Sequence, residues 1–202
     1  MTRTERRQKS LAAILDAALA EFGERGYASA AVDGVCARGG ISKGLMYHYY
    51  TGKDELFCEC VRAMFTALAA RLDEYLAGAN AGSAGELLSG FFITRERFFA
   101  ENHNMRVVFE DAMLRTPPQL AEEISRLRAP VKECNLRLLS SLLKLVRLRE
   151  GVSEHDAMLW FDAAEGLLPE LLSRLTDGSP LSFEAAAHRV LDFLLFGIAV
   201  PE

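Results

Sequence analysis

A short segment of the chain groups side chains that can donate hydrogen bonds to an anionic partner. Lys43, Tyr47 and His48 can donate to phosphate oxygens or to acceptor atoms on base edges. Gly44 carries no side chain, so the backbone at this position can come close to a partner surface. Ser42 precedes them and is a residue type that caps the first turn of a helix. The segment therefore has the composition of a nucleic-acid contact.

The chain has 202 residues, and its apolar residues recur at intervals of three and four, which predicts helices nearly throughout. Strand-type alternation is absent, and small clusters of glycine and proline separate the helical segments. The pattern predicts an all-α protein of roughly nine helices. The first helix carries Leu11–Phe22 and stops near Gly26, and the others are expected at 31–38, 42–49, 53–76, 86–101, 103–114, 118–149, 154–176 and 182–199.

The second and third helices are short and are joined by a link that contains two glycines, a pattern typical of a helix-turn-helix. We expect Leu45 to point inward, where it would contact Val32, Val35 and Ile41. Lys43, Gly44, Met46, Tyr47 and His48 are expected to remain on the outer face. The major groove of DNA admits one helix, so this face can approach base edges. Three packed helices with exposed polar residues would give the same short-helix pattern, so the pair alone is weak evidence.

The charge distribution supports a nucleic-acid partner, although the whole chain has a net charge of −5. Residues 1–53 hold eight basic and five acidic residues, a net charge of +3. The remaining residues hold 15 basic and 23 acidic residues, a net charge of −8. A basic end on an acidic chain indicates that the two parts have different partners.

A longer pattern makes the interpretation specific. Over about residues 8–57 the chain resembles, without a gap, the DNA-binding domain of the TetR family of repressors. The resemblance is carried by Phe22, Gly26-Tyr27, Val32, Val35, Gly40-Ile41-Ser42-Lys43-Gly44, Tyr47-His48-Tyr49-Tyr50 and Lys53-Asp54-Glu55-Leu56-Phe57.

The resemblance implies an all-helical homodimer that binds double-stranded DNA and a small-molecule effector. Residues 1–52 would form the DNA-binding domain, and residues 53–202 the ligand-binding and dimerisation domain. Lys53 would meet a phosphate at the start of the fourth helix, and Arg7 would belong to an N-terminal arm with Arg3 and Arg6. The predicted DNA-binding residues are Ser42, Lys43, Gly44, Met46, Tyr47, His48, Lys53 and Arg7.

The chain departs from the family pattern in three places. Ala30 and Ala31 stand where a Ser or Thr usually caps the second helix, and Ser29 is the expected substitute. Gly34 lies inside that helix, where glycine costs about 1 kcal/mol relative to alanine. Met46 occupies a position often held by a β-branched or small residue.

The second part of the chain contains an aromatic stripe that suggests a ligand pocket, although four phenylalanines in a stripe are more often core. Arg95 within it needs an acceptor if buried. Candidate acceptors are Glu110, Asp111, Glu165 or an anionic group of a ligand; alternatively Arg95 lies at the edge of the stripe and reaches water. The predicted pocket residues are Phe92, Arg95, Phe99, Phe109, Met113, Asn135 and Trp160.

The last two predicted helices are strongly apolar, and a monomer cannot easily cover both. Pairing them with the same helices of a second copy would form a four-helix bundle. The predicted dimer interface contains Leu168, Leu171, Leu175, Val190, Leu191 and Leu194.

Other chemistry has little support in the sequence. No nucleophile elbow, paired carboxylates, phosphate-cradling loop, metal cluster or cofactor motif is recognisable, so we expect neither an enzyme nor a metal site. The four cysteines are expected to be reduced thiols, since none forms a Cys-x-x-Cys pair. No apolar run is long enough to span a bilayer, and no signal core follows the charged start, so a cytoplasmic protein is expected.

The sequence thus predicts a ligand-responsive DNA-binding regulator, a repressor that a small molecule releases from a palindromic operator. The long fourth helix that begins at Lys53 would act as the lever between ligand and DNA. The alternative is a helical small-molecule-binding protein or enzyme whose DNA-binding head has lapsed; retention of Lys43, Tyr47, His48 and Lys53 argues against it.

Overall fold

A computed structural model describes residues 2–161 of the chain, together with residues 163, 174, 175, 185 and 189. The described residues contain helices and no strand, which confirms the predicted all-α fold. Eight α-helices have defined bounds, and residues 154–161 are also helical. They are α1 (Arg3–Ser29), α2 (Val32–Gly39), α3 (Lys43–Tyr49), α4 (Lys53–Gly78), α5 (Ala84–Glu101), α6 (His103–Met113), α7 (Ala121–Leu127) and α8 (Ala129–Leu142).

Helix α1 begins earlier than its apolar stripe, because polar residues cap its first turn. The Glu5 amide donates to the Thr2 hydroxyl at 3.2 Å, and the Thr2 amide donates to the Glu5 carboxylate at 2.8 Å. This reciprocal capping box satisfies two amides that the helix cannot pair internally. At Gly26 the backbone has a φ of +69°, and this residue interrupts the helical conformation where the sequence predicted a stop.

The chain divides into two compact units. The first comprises residues 1–66 and 99–128, and the second comprises residues 67–98 and 129–202. In the first unit, Ile14, Phe22 and Phe57 are almost fully buried and form part of the core beneath α1, α2 and α4. The first unit therefore contains helix α6 as well as the three helices of the predicted DNA-binding domain, whose boundary at residues 52 and 53 stays a prediction.

Helices α1 and α6 approach each other closely in the first unit. A Cβ atom on Gly23 would overlap Asn104 of α6, so glycine permits the contact. On α6, Val108 and Phe109 are buried. Because α1 leads directly into the helix-turn-helix, its packing against α6 stabilises the predicted DNA-binding domain through residues much later in the chain.

The sequence predicts one long helix at 118–149 with a kink at Pro130, whereas the structure divides this region into separate helices, so the single helix is wrong and the expected kink is a full break. A 3-10 turn covers Pro118–Leu120, α7 ends at Leu127, and α8 starts at Ala129 and ends at Leu142. Pro130 gives the physical reason, since its ring has no N–H and clashes with the carbonyl four residues earlier. A new helix that begins at Ala129 places the proline in a first turn, where it is tolerated.

All four cysteines are free and buried. In the second unit, the Cys134 thiol lies 2.9 Å from a carboxylate oxygen of Asp73, which also pairs with Arg137. Burial, followed by the hydrogen bond to Asp73, raises the pKa of Cys134 to about 12. A thiol in this setting stays protonated near neutral pH and is a poor nucleophile.

In the part of the chain that the structure describes, no helix is both long enough and apolar enough to cross a membrane. The same residues contain no group of three or more His, Cys, Asp or Glu side chains placed to hold a metal ion.

Candidate nucleic-acid interface

The third helix begins with a side-chain cap, as the sequence predicted. The Ser42 hydroxyl accepts a hydrogen bond from the Leu45 amide at 3.2 Å. The cap satisfies one of the free amides of the first turn and gives α3 a defined first residue, Lys43.

The inward side chain of α3 is Met46, and the expected orientations of Leu45 and Met46 are wrong. Met46 is 1% exposed, and Tyr50, one turn later, is also buried. Leu45 is 36% exposed. Both residues are apolar, so residue type could not distinguish them, and the 100° rotation between neighbours in a helix means that only one faces the core. Met46 is therefore a core residue of the head, and Leu45 joins the outer face.

The other predicted contact residues of α3 do lie on that outer face. Ser42, Lys43, Gly44, Tyr47 and His48 are all exposed, Tyr47 by 56%. A Cβ atom on Gly44 would meet nothing within 4 Å, so packing inside the chain does not require glycine there. The open space above Gly44 is available to a partner.

Lys43 is held in place by the preceding helix. Its amine lies 2.7 Å from a carboxylate oxygen of Asp33 on α2, and both side chains are exposed. The hydrogen bond that Lys43 donates to Asp33 raises the pKa of Lys43, so the amine stays charged at neutral pH. The pair orients the cation at the edge of the outer face.

A hollow beside α3 is lined by basic side chains of α1. Its cavity volume is about 660 Å³, and no acidic residue lines it. The sequence placed Arg3, Arg6 and Arg7 on an N-terminal arm, but the structure has them in the first turns of α1. The lining residues are Arg3, Thr4, Arg6, Arg7, Ser10, His48 and Tyr49. Because His48 belongs both to this hollow and to α3, the basic hollow is continuous with the outer face.

Lys53, at the start of α4, packs against the end of α1. Its amine donates to the Ala28 carbonyl at 3.1 Å and lies 4.5 Å from the ring centroid of Tyr27. Neither partner is charged, so the lysine retains its positive charge for an outside partner. These contacts fix the beginning of α4 against the head.

Tyr27 connects α1 with α4, α6 and the 3-10 turn of the first unit, a role that its sequence context did not predict. Its hydroxyl donates to Asp54 of α4 at 2.6 Å and accepts from the Gln119 amide at 2.8 Å. Its own backbone amide donates to Asp111 of α6 at 2.6 Å. Burial, followed by the hydrogen bond to Asp54, raises the pKa of Tyr27 to about 12. The only sequence signal for this connection was a pair of adjacent acids, Glu110 and Asp111, near the end of α6.

Asp111 is one of the acceptors that the sequence offers for Arg95. It is 5% exposed and accepts from the Tyr27 amide and from Arg115, whose Nε lies 2.7 Å away. The positive charge of Arg115 therefore balances the charge of the Asp111 carboxylate. The hydrogen bond from the Tyr27 amide positions this carboxylate beside the break in α1.

A buried carboxylate lies beside the uncapped start of α2. Ala31 is the N-cap residue, and no side chain caps it, so Ser29 does not substitute as expected. Instead the Ala31 amide donates to Glu21 of α1 at 3.5 Å. Glu21 is 2% exposed and pairs with Arg38 at 2.6 Å and with Arg25 at 3.3 Å.

Gly34 is explained by the same carboxylate. A Cβ atom on Gly34 would overlap the carboxylate of Glu21, so a larger residue at that position would require either this carboxylate or α2 to shift. Burial by itself raises the pKa of Glu21, but the hydrogen bonds from Arg38 and Ala31 and the charge of Arg25 outweigh it, so the pKa is lowered overall.

The predicted ligand-binding residues are divided between the two units. In the first unit, Phe99 and Phe109 have ring centroids 4.8 Å apart, and Met113 is buried. In the second unit, the Arg95 guanidinium lies 4.7 Å from the ring centroid of Phe92. Asn135, also in the second unit, is half-buried.

Trp160 does not support the predicted pocket wall. Its side chain is 53% exposed, whereas Phe161, the next residue, is 4% exposed. The helix at 154–161 therefore directs Phe161 to the interior, because neighbouring helical residues face about 100° apart. The exposed position of Trp160 gives no support to its place in the pocket, and the pocket stays a prediction.

The predicted dimer interface falls mostly outside the described residues. Leu168, Leu171, Val190, Leu191 and Leu194 all lie there. Leu175 is helical and 36% exposed. The interface stays a prediction.

Comparisons with known proteins agree with this geometry. Residues 14–60, which contain α2 and α3, match the family model of bacterial regulatory proteins, tetR family. The chain is 27% identical over 183 residues to the HTH-type transcriptional regulator BetI of Rhizobium meliloti strain 1021, covering 90% of this chain and 86% of that protein.

Two solved structures have the same fold. The fatty acid degradation regulator FadR from Bacillus halodurans has a TM-score of 0.64 and 18% identity, covering 91% of this chain and 93% of that one. SmeT, the repressor of the Stenotrophomonas maltophilia multidrug efflux pump SmeDEF, has a TM-score of 0.63 and 22% identity, covering 93% of this chain and 89% of that one.

Proposed function

We propose that the chain is a bacterial transcriptional regulator of the TetR family, and that it is a repressor that a small molecule releases from a palindromic operator. The single observation that supports the proposal most strongly is the exposed face of α3 continued by the basic hollow of α1. In this proposal α3 supplies the base contacts and the hollow supplies the phosphate contacts, and a sequence-specific DNA-binding protein needs both.

The outer face of α3 provides the base contacts in this proposal. Lys43, Tyr47 and His48 donate to acceptor atoms in the major groove, and Gly44 lets the helix backbone come close. Ser42 contributes its hydroxyl near the start of the helix.

The arginines of α1 provide the phosphate contacts. Arg3, Arg6 and Arg7 carry their charges on two successive turns of a capped helix, so little backbone order has to be gained on binding. Lys53, at the start of α4, adds a further positive charge. Its amine lies over the ring of Tyr27. Such contacts bind without regard to sequence and set the register of the recognition helix.

A homodimer completes the proposed repressor. Two recognition helices related by a two-fold axis read the two halves of a palindrome, whose centres lie one helical turn of DNA, or slightly more, apart. We propose that the dimer forms through Leu168, Leu171, Leu175, Val190, Leu191 and Leu194, as the sequence predicts. A Leu171→Arg variant is then expected to be monomeric by light scattering and to bind DNA poorly, and a variant that stays dimeric would contradict this interface.

The effector is proposed to act by changing the separation of the two heads. A FadR from Bacillus subtilis has been solved in complex with stearoyl-CoA and SmeT in complex with triclosan, so two proteins of this fold hold small-molecule ligands. In this chain we propose Phe92, Arg95, Phe99, Phe109, Met113 and Asn135 as ligand contacts. A ligand shifts the separation only by binding one state more tightly than the other. Native mass spectrometry of the purified protein would identify a bound molecule.

Gel shifts with the DNA that flanks the protein's own gene test the proposal. Wild-type protein is expected to give a discrete complex whose affinity falls steeply with salt, and Lys43→Ala or Tyr47→Ala is expected to abolish it. Arg7→Ala is expected to weaken binding and reduce the salt slope by about one unit.

Lys144→Ala is the matched control for Lys43→Ala, since it removes an exposed lysine from the second unit and should leave the affinity unchanged. Tight binding that is insensitive to salt would contradict the proposed interface. A protein that binds its effector and shows no affinity for any DNA fragment would instead support a ligand-binding protein whose head has lapsed.

A further inference from the structure

An aliphatic side chain lies on the outer face of α3, where the other exposed residues are polar, aromatic or glycine. Leu45 is 36% exposed, in the same helix as Lys43, Gly44, Tyr47 and His48. A single exposed leucine on a protein surface is ordinary and needs no explanation by itself. Its position within the proposed DNA-facing surface gives it meaning.

Leu45 is surrounded by residues of that surface. Gly44 precedes it and leaves open space above the backbone. His48 follows three residues later, so the two side chains are neighbours on the same side of the helix. His48 in turn lines the hollow that contains the α1 arginines. A surface that meets DNA through the arginines and through α3 therefore covers Leu45 as well.

The major groove offers a leucine one kind of apolar partner. Three of the four bases present only hydrogen-bond donors and acceptors there, and thymine adds a C5-methyl group. The isobutyl group of Leu45 has no hydrogen-bonding atom, so against any other base edge it would remove water from polar atoms without replacing the lost hydrogen bonds. Packing against a thymine methyl group avoids that cost and buries apolar surface on both sides.

We propose that Leu45 is a specificity-determining residue that selects thymine in each operator half-site by packing against the C5-methyl group. The inference rests on the proposed function and adds to it an apolar contact that the polar residues of α3 do not supply. The buried neighbour Met46 takes no part in it, since its side chain is enclosed in the core of the head.

Replacing thymine by deoxyuridine tests the contact directly, because the exchange removes the C5-methyl group and preserves base pairing. The operator is first selected from random-sequence duplexes with the wild-type protein. Each thymine is then replaced symmetrically in both half-sites, and affinities of wild-type protein and Leu45→Ala are measured. At one position the exchange should weaken wild-type binding about fourfold per half-site, the ratio for one buried methyl group, and should leave Leu45→Ala unaffected.

Leu159→Ala is the matched control. Leu159 is 57% exposed on the helix at 154–161, outside the first unit, so this variant should keep the full sensitivity to deoxyuridine. Leu45→Ser, which removes the apolar side chain and keeps a small one, should behave like Leu45→Ala. Since Leu45 is exposed, thermal unfolding of both variants should stay close to that of wild type.

The outcomes separate this inference from the proposed function. Loss of affinity on deoxyuridine exchange that is equal in wild type and Leu45→Ala at every thymine would overturn the contact and leave the repressor proposal standing. Wild-type protein that selects no sequence from the random pool would overturn the proposed function, and this inference with it.

Discussion

Helices α2 and α3 follow each other in the chain, and each contains a glycine, but the two glycines have opposite surroundings. A Cβ atom on Gly34 of α2 would overlap the buried carboxylate of Glu21, whereas one on Gly44 of α3 would meet nothing within 4 Å. The space at Gly34 is filled by the protein itself, and the space at Gly44 is open, where we propose that DNA lies. The glycine of α2 is therefore required by packing within the chain, whereas the glycine of α3 is not.

Removing the acid that anchors α2 is the strongest test of this difference. Glu21→Ala is expected to lower the free energy of unfolding by about 2–3 kcal/mol, below the cost of breaking a fully buried pair because Arg38 stays partly exposed. Urea unfolding measures the loss. Glu24→Ala is the control, since Glu24 also pairs with Arg38 but is 61% exposed, and should cost less than about 1 kcal/mol. Equal losses in the two variants would show that Glu21 has no special role.

Adding a methyl group to α2 comes next. Gly34→Ala is expected to destabilise the protein by about 1–2 kcal/mol, because displacing the clamped Glu21 carboxylate outweighs the better helix propensity of alanine. The midpoint of thermal or urea unfolding measures this effect. A variant as stable as wild type would mean that Glu21 can move aside without losing its arginine partners.

The same substitution in α3 is expected to have the opposite sign. Gly44→Ala should stabilise the protein by up to about 1 kcal/mol, since alanine favours the helix and its methyl group enters open space. It should also weaken operator binding, because the methyl group occupies space proposed for DNA. Thermal unfolding and gel shifts on one preparation measure both effects. Unchanged DNA affinity would place the DNA contact elsewhere on α3.

The smallest expected effect is the dependence of stability on acid pH. The pKa of Glu21 is lowered in the folded protein, so its ionised form stabilises the fold above the unfolded-state pKa of about 4.3. That stabilisation is lost as the pH falls through this value toward the folded-state pKa. Urea midpoints between neutral pH and pH about 3 should fall less for Glu21→Ala than for wild type. Parallel curves would exclude a lowered pKa at this residue.

The sequence predicted much of the head because its signals are local. The Ser42 cap, the break at Gly26 and the two short helices depend on residues within a few positions of one another, and all three are confirmed. The exposure of Lys43, Tyr47 and His48 follows from the same short range. Local chemistry sufficed there, since a helix cap or a glycine acts on its own turn.

Predictions that required knowledge of packing were less successful. Leu45 and Met46 are both apolar, and only the docking of α3 on the core decided which one is buried. Trp160 and Phe161 repeat the same ambiguity in a second helix. Residue type indicates that one of two adjacent apolar side chains is buried. Which one is buried depends on the rotation of the helix about its axis, and the helices packed against it set that rotation.

The sequence by itself determined the helical class, the resemblance to the TetR family and the position of the third helix, because these depend on periodicity and on a contiguous motif. Only the tertiary structure decided that Glu21 accepts from the Ala31 amide before α2, that Gly34 makes room for this carboxylate and that the Tyr27 amide donates to Asp111, 84 residues away. It also showed that the three arginines of the predicted N-terminal arm lie in α1 and line a basic hollow. Each of these joins side chains that are distant in the chain, so their proximity arises only when the helices pack.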